Sequence, residues 1–126
     1  MEKKNILIAD DDKDILEILE KKFRENNYEV FALAKGKDVL EKFKTYNYKP
    51  DLLILDIVMQ DTDGLAVATS LREDRRLKDL PIIFMTAKDL NYSAIEKRLV
   101  ELGECTYIGK PCTFEDLLAK VKRIIG

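Results

Sequence analysis

Apolar residues gather along this chain in short unbroken runs, and most runs are followed by a stretch in which they recur at helical spacing. Ile6-Leu7-Ile8-Ala9 and Leu52-Leu53-Ile54-Leu55 show no polar alternation, which is the pattern of strands buried on both faces of a parallel sheet. The first strand is expected over about Asn5 to Ala9. Asp12 then stands as a helix cap ahead of Ile15, Leu16, Ile18, Leu19 and Phe23, and that helix is expected to end at Asn26-Asn27. Tyr28 to Leu33 reads as a second strand, and Gly36 to Tyr46 as a second helix with Val39, Leu40 and Phe43 inward. Pro50 leads into the third strand, which delivers Asp56, and Gly64 opens a third helix carrying Leu65, Val67, Ala68 and Leu71. Pro81 leads the strand Ile82-Ile83-Phe84-Met85, ending at Thr86-Ala87, and a short helix from about Ser93 to Glu101 follows. The fifth strand, Thr106-Tyr107-Ile108, stops at Gly109-Lys110-Pro111. Thr113, with Asp116 three residues on in the manner of a capping box, starts the last helix through Ile125.

Strand and helix alternate five times without a composition break, which predicts a single α/β domain of (βα)5 type. Right-handed crossovers between parallel strands put helices on both faces of the sheet, giving a three-layer sandwich. The strand order 2-1-3-4-5, borrowed from flavodoxin-like sheets rather than deduced from the residues, has its switch point between the first and third strands. In open sheets ligands bind there, beyond the carboxyl ends of the strands. Asp10, Asp11 and Asp12 follow the first strand and Asp56 ends the third, so these acids converge on that crevice. Carboxylates crowded together cannot all stay ionised without a cation or proton to offset their repulsion, and a hard metal ion is expected.

Composition narrows the chemistry. A chain of 126 residues, 46% hydrophobic and 37% charged, can close one core without staples and has the make-up of a soluble globular protein. No membrane span or secretion signal is read, and the expected location is cytoplasmic. A net charge of −2 offers nucleic acid no general attraction. The run Arg72-Glu73-Asp74-Arg75-Arg76-Leu77-Lys78, interrupted by acids, reads as a solvated helix end. Cys105 and Cys112 lack disulfide or metal spacing and read as reduced thiols. There is no histidine, which excludes His-based nucleophilic catalysis and His-ligated zinc.

Taken together, the strand-end acids in Ile8-Ala9-Asp10-Asp11-Asp12, the segment from Asp56 to Asp63-Gly64, the Thr86-Ala87 pair and Tyr107-Ile108-Gly109-Lys110-Pro111 carry a resemblance. The chain resembles, over essentially its whole length, the receiver (CheY-like) domain of bacterial two-component response regulators. The resemblance implies a single receiver over residues 1–126 with no output domain, a phosphoacceptor rather than a free-standing enzyme, which catalyses its own phosphorylation and dephosphorylation. It implies Asp56 as the phosphoryl acceptor, and Mg²⁺, with Mn²⁺ as substitute, bound by Asp11, Asp56 and the backbone carbonyl of Val58, with Asp10 acting through water. Lys110 and Thr86 would hold phosphoryl oxygens, the Lys110-Pro111 bond would be cis, and Thr86 and Tyr107 would form the switch. The partners implied are a sensor histidine kinase or phosphotransfer protein and a downstream protein bound by helix 4, strand 5 and helix 5. The protein would be a monomer or a phosphorylation-dependent dimer, with no direct nucleic-acid contact and no membrane insertion. The lack of histidine fits an acceptor, since the usual donor in the family is a phosphohistidine on a separate kinase.

The same residues bear on other readings. An aspartyl-phosphate phosphatase needs an acid two residues after the nucleophile, where Val58 stands. A flavin module of this fold would place hydroxyls and N–H groups, not three carboxylates, in the first loop. A phosphorelay intermediate and a degenerate receiver used only for docking stay open. Asp12 is read as a cap rather than a ligand, and Asp61, Asp63 and Gly64 fail as a calcium loop because Met59 and Ser70 would take its first and last ligand positions. Two departures from the family are noted: Gln60 replaces its usual proline, suggesting a looser loop after Asp56, and Cys112 replaces its usual aromatic, suggesting an exposed thiol. Val58 and Lys88 would flank the path of attacking water, and an apolar Val58 would not speed dephosphorylation.

Overall fold

A computed structural model describes residues 2–45, 47–87 and 92–126. Five parallel strands, β1 (Asn5–Ala9), β2 (Glu29–Leu33), β3 (Leu52–Asp56), β4 (Ile82–Ala87) and β5 (Cys105–Lys110), form one sheet in the order β2-β1-β3-β4-β5. The helices between and after them are α1 (Lys13–Glu25), α2 (Gly36–Phe43), α3 (Gly64–Arg72), α4 (Tyr92–Leu102) and α5 (Phe114–Ile125), with a 3-10 turn at Arg75–Leu77. The expected order and class hold. The expected end of α2 at Tyr46 and the flanking residue Lys88 lie outside the described residues.

The unalternating runs are strands because each side chain has an apolar face to enter. Leu7, Ala9, Leu53, Leu55, Ile82 and Phe84 point to the side covered by α2, α3 and α4, where Val39, Val67, Leu71 and Leu99 receive them. Their neighbours Ile6, Ile8, Leu52, Ile54, Ile83 and Met85 point to the other side, onto Leu16, Leu19 and Phe23 of α1 and Leu117 and Val121 of α5. Successive strand residues face opposite ways, so a strand buried on both sides has no position left for a polar residue. Phe23, fully buried, also meets Tyr28 and Phe114 edge-on at ring-centroid distances of 5.8 and 4.9 Å. Ile18 keeps helical spacing yet is 54% exposed, because α1 turns only the Leu16, Leu19 and Phe23 stripe to the sheet.

Arg72 departs from the solvated helix end expected there, while Arg76, 42% exposed and paired with Asp74 at 2.9 Å, keeps to it. The Arg72 guanidinium donates to the carbonyls of Leu102 (2.7 Å), Leu77 (2.5 Å), Leu80 (2.7 Å) and Glu104 (3.3 Å). Arg76 Nη2 donates to the Phe43 carbonyl at 2.9 Å. The planar fork of donors suits carbonyls that no helix or ladder satisfies, and Arg72 thereby joins the C-terminal end of α4 to the loop before β4. Charge alternation in the sequence concealed this, since an arginine that serves carbonyls needs no acidic partner.

Candidate functional site

The carboxyl ends of β1 and β3 lie side by side, with Ala9 opposite Leu55 in register, and their acids therefore meet. Asp10 is fully buried. Its Oδ1 accepts the Asp12 N–H at 2.9 Å and its Oδ2 accepts Lys110 Nζ at 2.7 Å. Asp56 is buried as well, accepting the Val58 N–H on Oδ1 at 3.3 Å and Lys110 Nζ on Oδ2 at 3.1 Å. One ammonium thus bridges two carboxylates. Asp10, Asp11 and Asp56 each present an oxygen within 4.8 Å of the others, close enough for a shared cation.

Burial in the crevice, and next the charge of Asp10, push the Asp56 carboxyl up to about 6 against the opposing pull of Lys110. Burial would draw the Lys110 ammonium down, but its hydrogen bonds and charge contacts with Asp10 and Asp56 outweigh that and hold it above the ordinary lysine value. A single lysine leaves the acid cluster with surplus negative charge. That donor set, carboxylate oxygens and no sulfur or imidazole, suits a hard divalent ion such as Mg²⁺.

Thr86 and Tyr107 lie on the neighbouring strands β4 and β5. The Thr86 hydroxyl, at the end of β4, is fully buried, and Oγ1 finds no hydrogen-bond partner among the described residues. Lys110-Pro111 is cis, as expected. Tyr107, in β5, faces outward: its hydroxyl donates to Glu96 Oε1 of α4 at 2.8 Å and its ring stacks on Tyr92 at 5.6 Å between centroids. That bond, more than its slight burial, raises the tyrosine above its ordinary value.

Asp12 does not join the cluster; its Oδ1 accepts the N–H groups of Asp14 and Ile15, which makes it the cap of α1. Asp63 caps α3 through the Leu65 N–H at 2.7 Å. Gly64 is needed where it stands, because a Cβ there would strike the Asp56 carbonyl. Val58 is 57% exposed beside Asp56. Cys112 is exposed, as its departure from the family suggested, and both cysteines are free.

The loop after Asp56 makes hydrogen bonds to two other parts of the chain. Gln60 donates its backbone N–H to Asp11 Oδ2 at 3.0 Å. The Asp61 carboxylate accepts the N–H groups of Gly36 and Lys37, each at 3.0 Å, and these backbone bonds, the one from Lys37 first, hold it below the usual carboxylate range. Sequence reasoning missed both. A signal existed for the second: α2 begins at Lys35-Gly36-Lys37, and Lys35 offers no side-chain cap, so its orphan N–H groups need an acceptor from elsewhere.

A family model described as "Response regulator receiver domain" matches residues 6–122. The chain belongs to this family. As a receiver it is also similar to solved structures across its length. A protein assigned as a response regulator from Chloroflexus aurantiacus J-10-fl shares 32% identity, with a TM-score of 0.84 and 98% of each chain covered. The receiver domain of a signal transduction histidine kinase from Syntrophus aciditrophicus shares 28% identity at a TM-score of 0.84, covering 97% of this chain and 89% of that one. The chemotaxis response regulator CheY4 of Vibrio cholerae shares the fold at a TM-score of 0.85 and 22% identity, covering 97% and 98%. The receiver is thus a two-component signalling domain of flavodoxin-like fold. No helix among the described residues is long and apolar enough to cross a membrane.

Proposed function

We propose that this receiver accepts a phosphoryl group on Asp56 from a phosphohistidine of a sensor kinase or phosphotransfer protein and thereby switches a partner-binding surface. The observation that carries the reading is the Asp56 carboxylate, buried at a strand end within 4.8 Å of Asp10 and Asp11 and sharing the Lys110 ammonium with Asp10.

Asp11, Asp56 and the Val58 carbonyl would hold Mg²⁺, or Mn²⁺ in its place, with Asp10 engaged through water. The bound ion would supply charge neutralisation for the acid cluster and for the incoming phosphoryl group. Asp56 attacks phosphorus through one carboxylate oxygen; a P–O bond forms, the P–N bond to histidine breaks, and the ring nitrogen keeps the electron pair. A loose transition state asks mainly for positioning and for positive charge around the transferred oxygens. Lys110 exchanges its contact with Asp56 for one with a phosphoryl oxygen, and Thr86 gives its unpaired hydroxyl a partner of the same kind. Drawing Thr86 toward the phosphoryl group opens room beside it, and Tyr107 leaves Glu96 to fill that space. The change is read on α4, β5 and α5, a local electrostatic event biasing a two-state element. The domain works in the cytoplasm as a phosphoacceptor and not as a turnover enzyme, without touching nucleic acid, as a monomer or a phosphorylation-dependent dimer.

The test is incubation with acetyl phosphate and Mg²⁺ followed by intact-mass spectrometry. The expected product carries one added phosphoryl group, is cleared by hydroxylamine and fails to form in EDTA. An unchanged mass with Mg²⁺ present, or equal labelling in EDTA, contradicts the reading.

A further inference from the structure

Gln60 supplies to the acid cluster something that no proline could supply at that position, a backbone N–H. The amide reaches across from the loop after β3 to the loop after β1, ending 3.0 Å from Asp11 Oδ2. Asp11 is the half-buried member of the cluster, so its side chain has freedom to lose when it takes up a cation. We propose that the Gln60 amide is a positioning group for Asp11, held in place by the anchoring of the adjoining Asp61 on the N-terminus of α2, and that it raises the affinity of the cluster for a divalent cation. The inference rests on the metal-binding part of the function proposed above.

The two oxygens of a carboxylate offer about four lone-pair directions, so a hydrogen bond on Oδ2 leaves Asp11 with capacity to ligate. Such a bond fixes the rotamer and selects which lone pairs face the crevice, as outer hydrogen bonds do for metal ligands generally. The donor in turn must be fixed. Asp61 does this: its carboxylate receives the Gly36 and Lys37 N–H groups, each at 3.0 Å, clamping the peptide that follows Gln60. The Met59 N–H to the Thr62 carbonyl at 3.3 Å and the bridge between Val58 and Asp63 close the loop from within. The N-terminus of α2 is thereby linked mechanically to a metal ligand with which it has no direct contact. The glutamine side chain plays no part, which separates this role from ordinary side-chain ligation.

The test is Mg²⁺ affinity of the unphosphorylated protein by calorimetry, with far-UV circular dichroism to verify folding. Gln60→Ala keeps the N–H and should bind as the wild type does. Gln60→Pro removes it and should weaken binding about tenfold. Asp61→Ala, which touches neither Asp11 nor the crevice, should weaken binding in the same direction, and in the Gln60→Pro background it should add nothing further. Equal affinity of Gln60→Pro and wild type overturns the inference while leaving the metal site standing; additive losses in the double variant overturn the role of Asp61. A wild type that does not bind Mg²⁺ refutes the inference and the proposed function together.

Discussion

Lys110→Met should lower the stability of the metal-free protein at neutral pH by about 3 kcal/mol, because removing one partner of a buried ion pair leaves the other charge uncompensated. Two charges are stranded here. Asp10 is fully buried and Asp56 nearly so, and both direct an oxygen at Lys110 Nζ, at 2.7 and 3.1 Å. The lysine side chain is itself 24% exposed, so water recovers part of the loss and the figure is set at the lower end of the range for buried pairs. In a thermal melt the drop amounts to roughly 10 °C for a domain of this length. The loss should shrink as pH falls below about 6, since without the ammonium the Asp56 carboxyl rises further and takes up a proton more readily. Saturating Mg²⁺ should restore part of the lost stability by supplying a second cation, an effect that linkage requires of any ligand bound only by the folded state. A variant as stable as the wild type at pH 7 without metal would show that Lys110 is not balancing the acids.

Asp56→Asn should have the opposite sign. Burial and Asp10 push the Asp56 carboxyl from 3.8 up to about 6, so its ionised form is less favourable in the folded protein than in the unfolded chain. Folded protein therefore binds more protons than unfolded between about pH 4 and pH 6, and stability falls as pH rises through that window, reaching its full deficit above it. The asparagine carries no such charge, but its single side-chain oxygen can keep the bond from Lys110 or the one from the Val58 N–H and not both; with that loss deducted it should stabilise the metal-free protein by on the order of 2 kcal/mol at pH 7. The gain should fade toward pH 4, where the wild-type carboxyl is protonated in the folded state. Urea titrations of both proteins at pH 4 and pH 7 measure it directly. The same substitution should abolish phosphoryl labelling, so one residue is expected to sacrifice stability for reactivity.

The fold was legible in the sequence, and the finer site was not. Apolar runs such as Leu52-Leu53-Ile54-Leu55 leave no alternative to a strand enclosed on both faces, and the observed register carries every one of them into the core. The acids at strand ends were legible for a related reason, because charged side chains immediately after a buried strand must lie where the sheet opens to solvent. Asp12 as cap and Asp10 and Asp56 at the crevice follow from that position, whereas Lys110 beside them was expected only from the family resemblance. Backbone donors and acceptors leave little trace in residue type beyond the missing side-chain cap at Lys35. The Gln60 amide on Asp11, the Asp61 cap on α2 and the carbonyls gathered by Arg72 depend on chain paths that meet only in the folded molecule. Ile18 shows the converse limit: helical spacing says that residues share a side, and the width of the buried stripe is decided by what packs against it.

The assignment of Asp56 as phosphoacceptor can be tested at the level of a single residue. Borohydride reduces an acyl phosphate on aspartate to homoserine, so protein treated with acetyl phosphate and Mg²⁺, then reduced and digested, records the acceptor as a change of residue in one peptide. Homoserine at position 56, and at no other acid of the cluster, is the expected result. Homoserine at position 10 or 11, or a labelled protein in which position 56 is still aspartate, would contradict it.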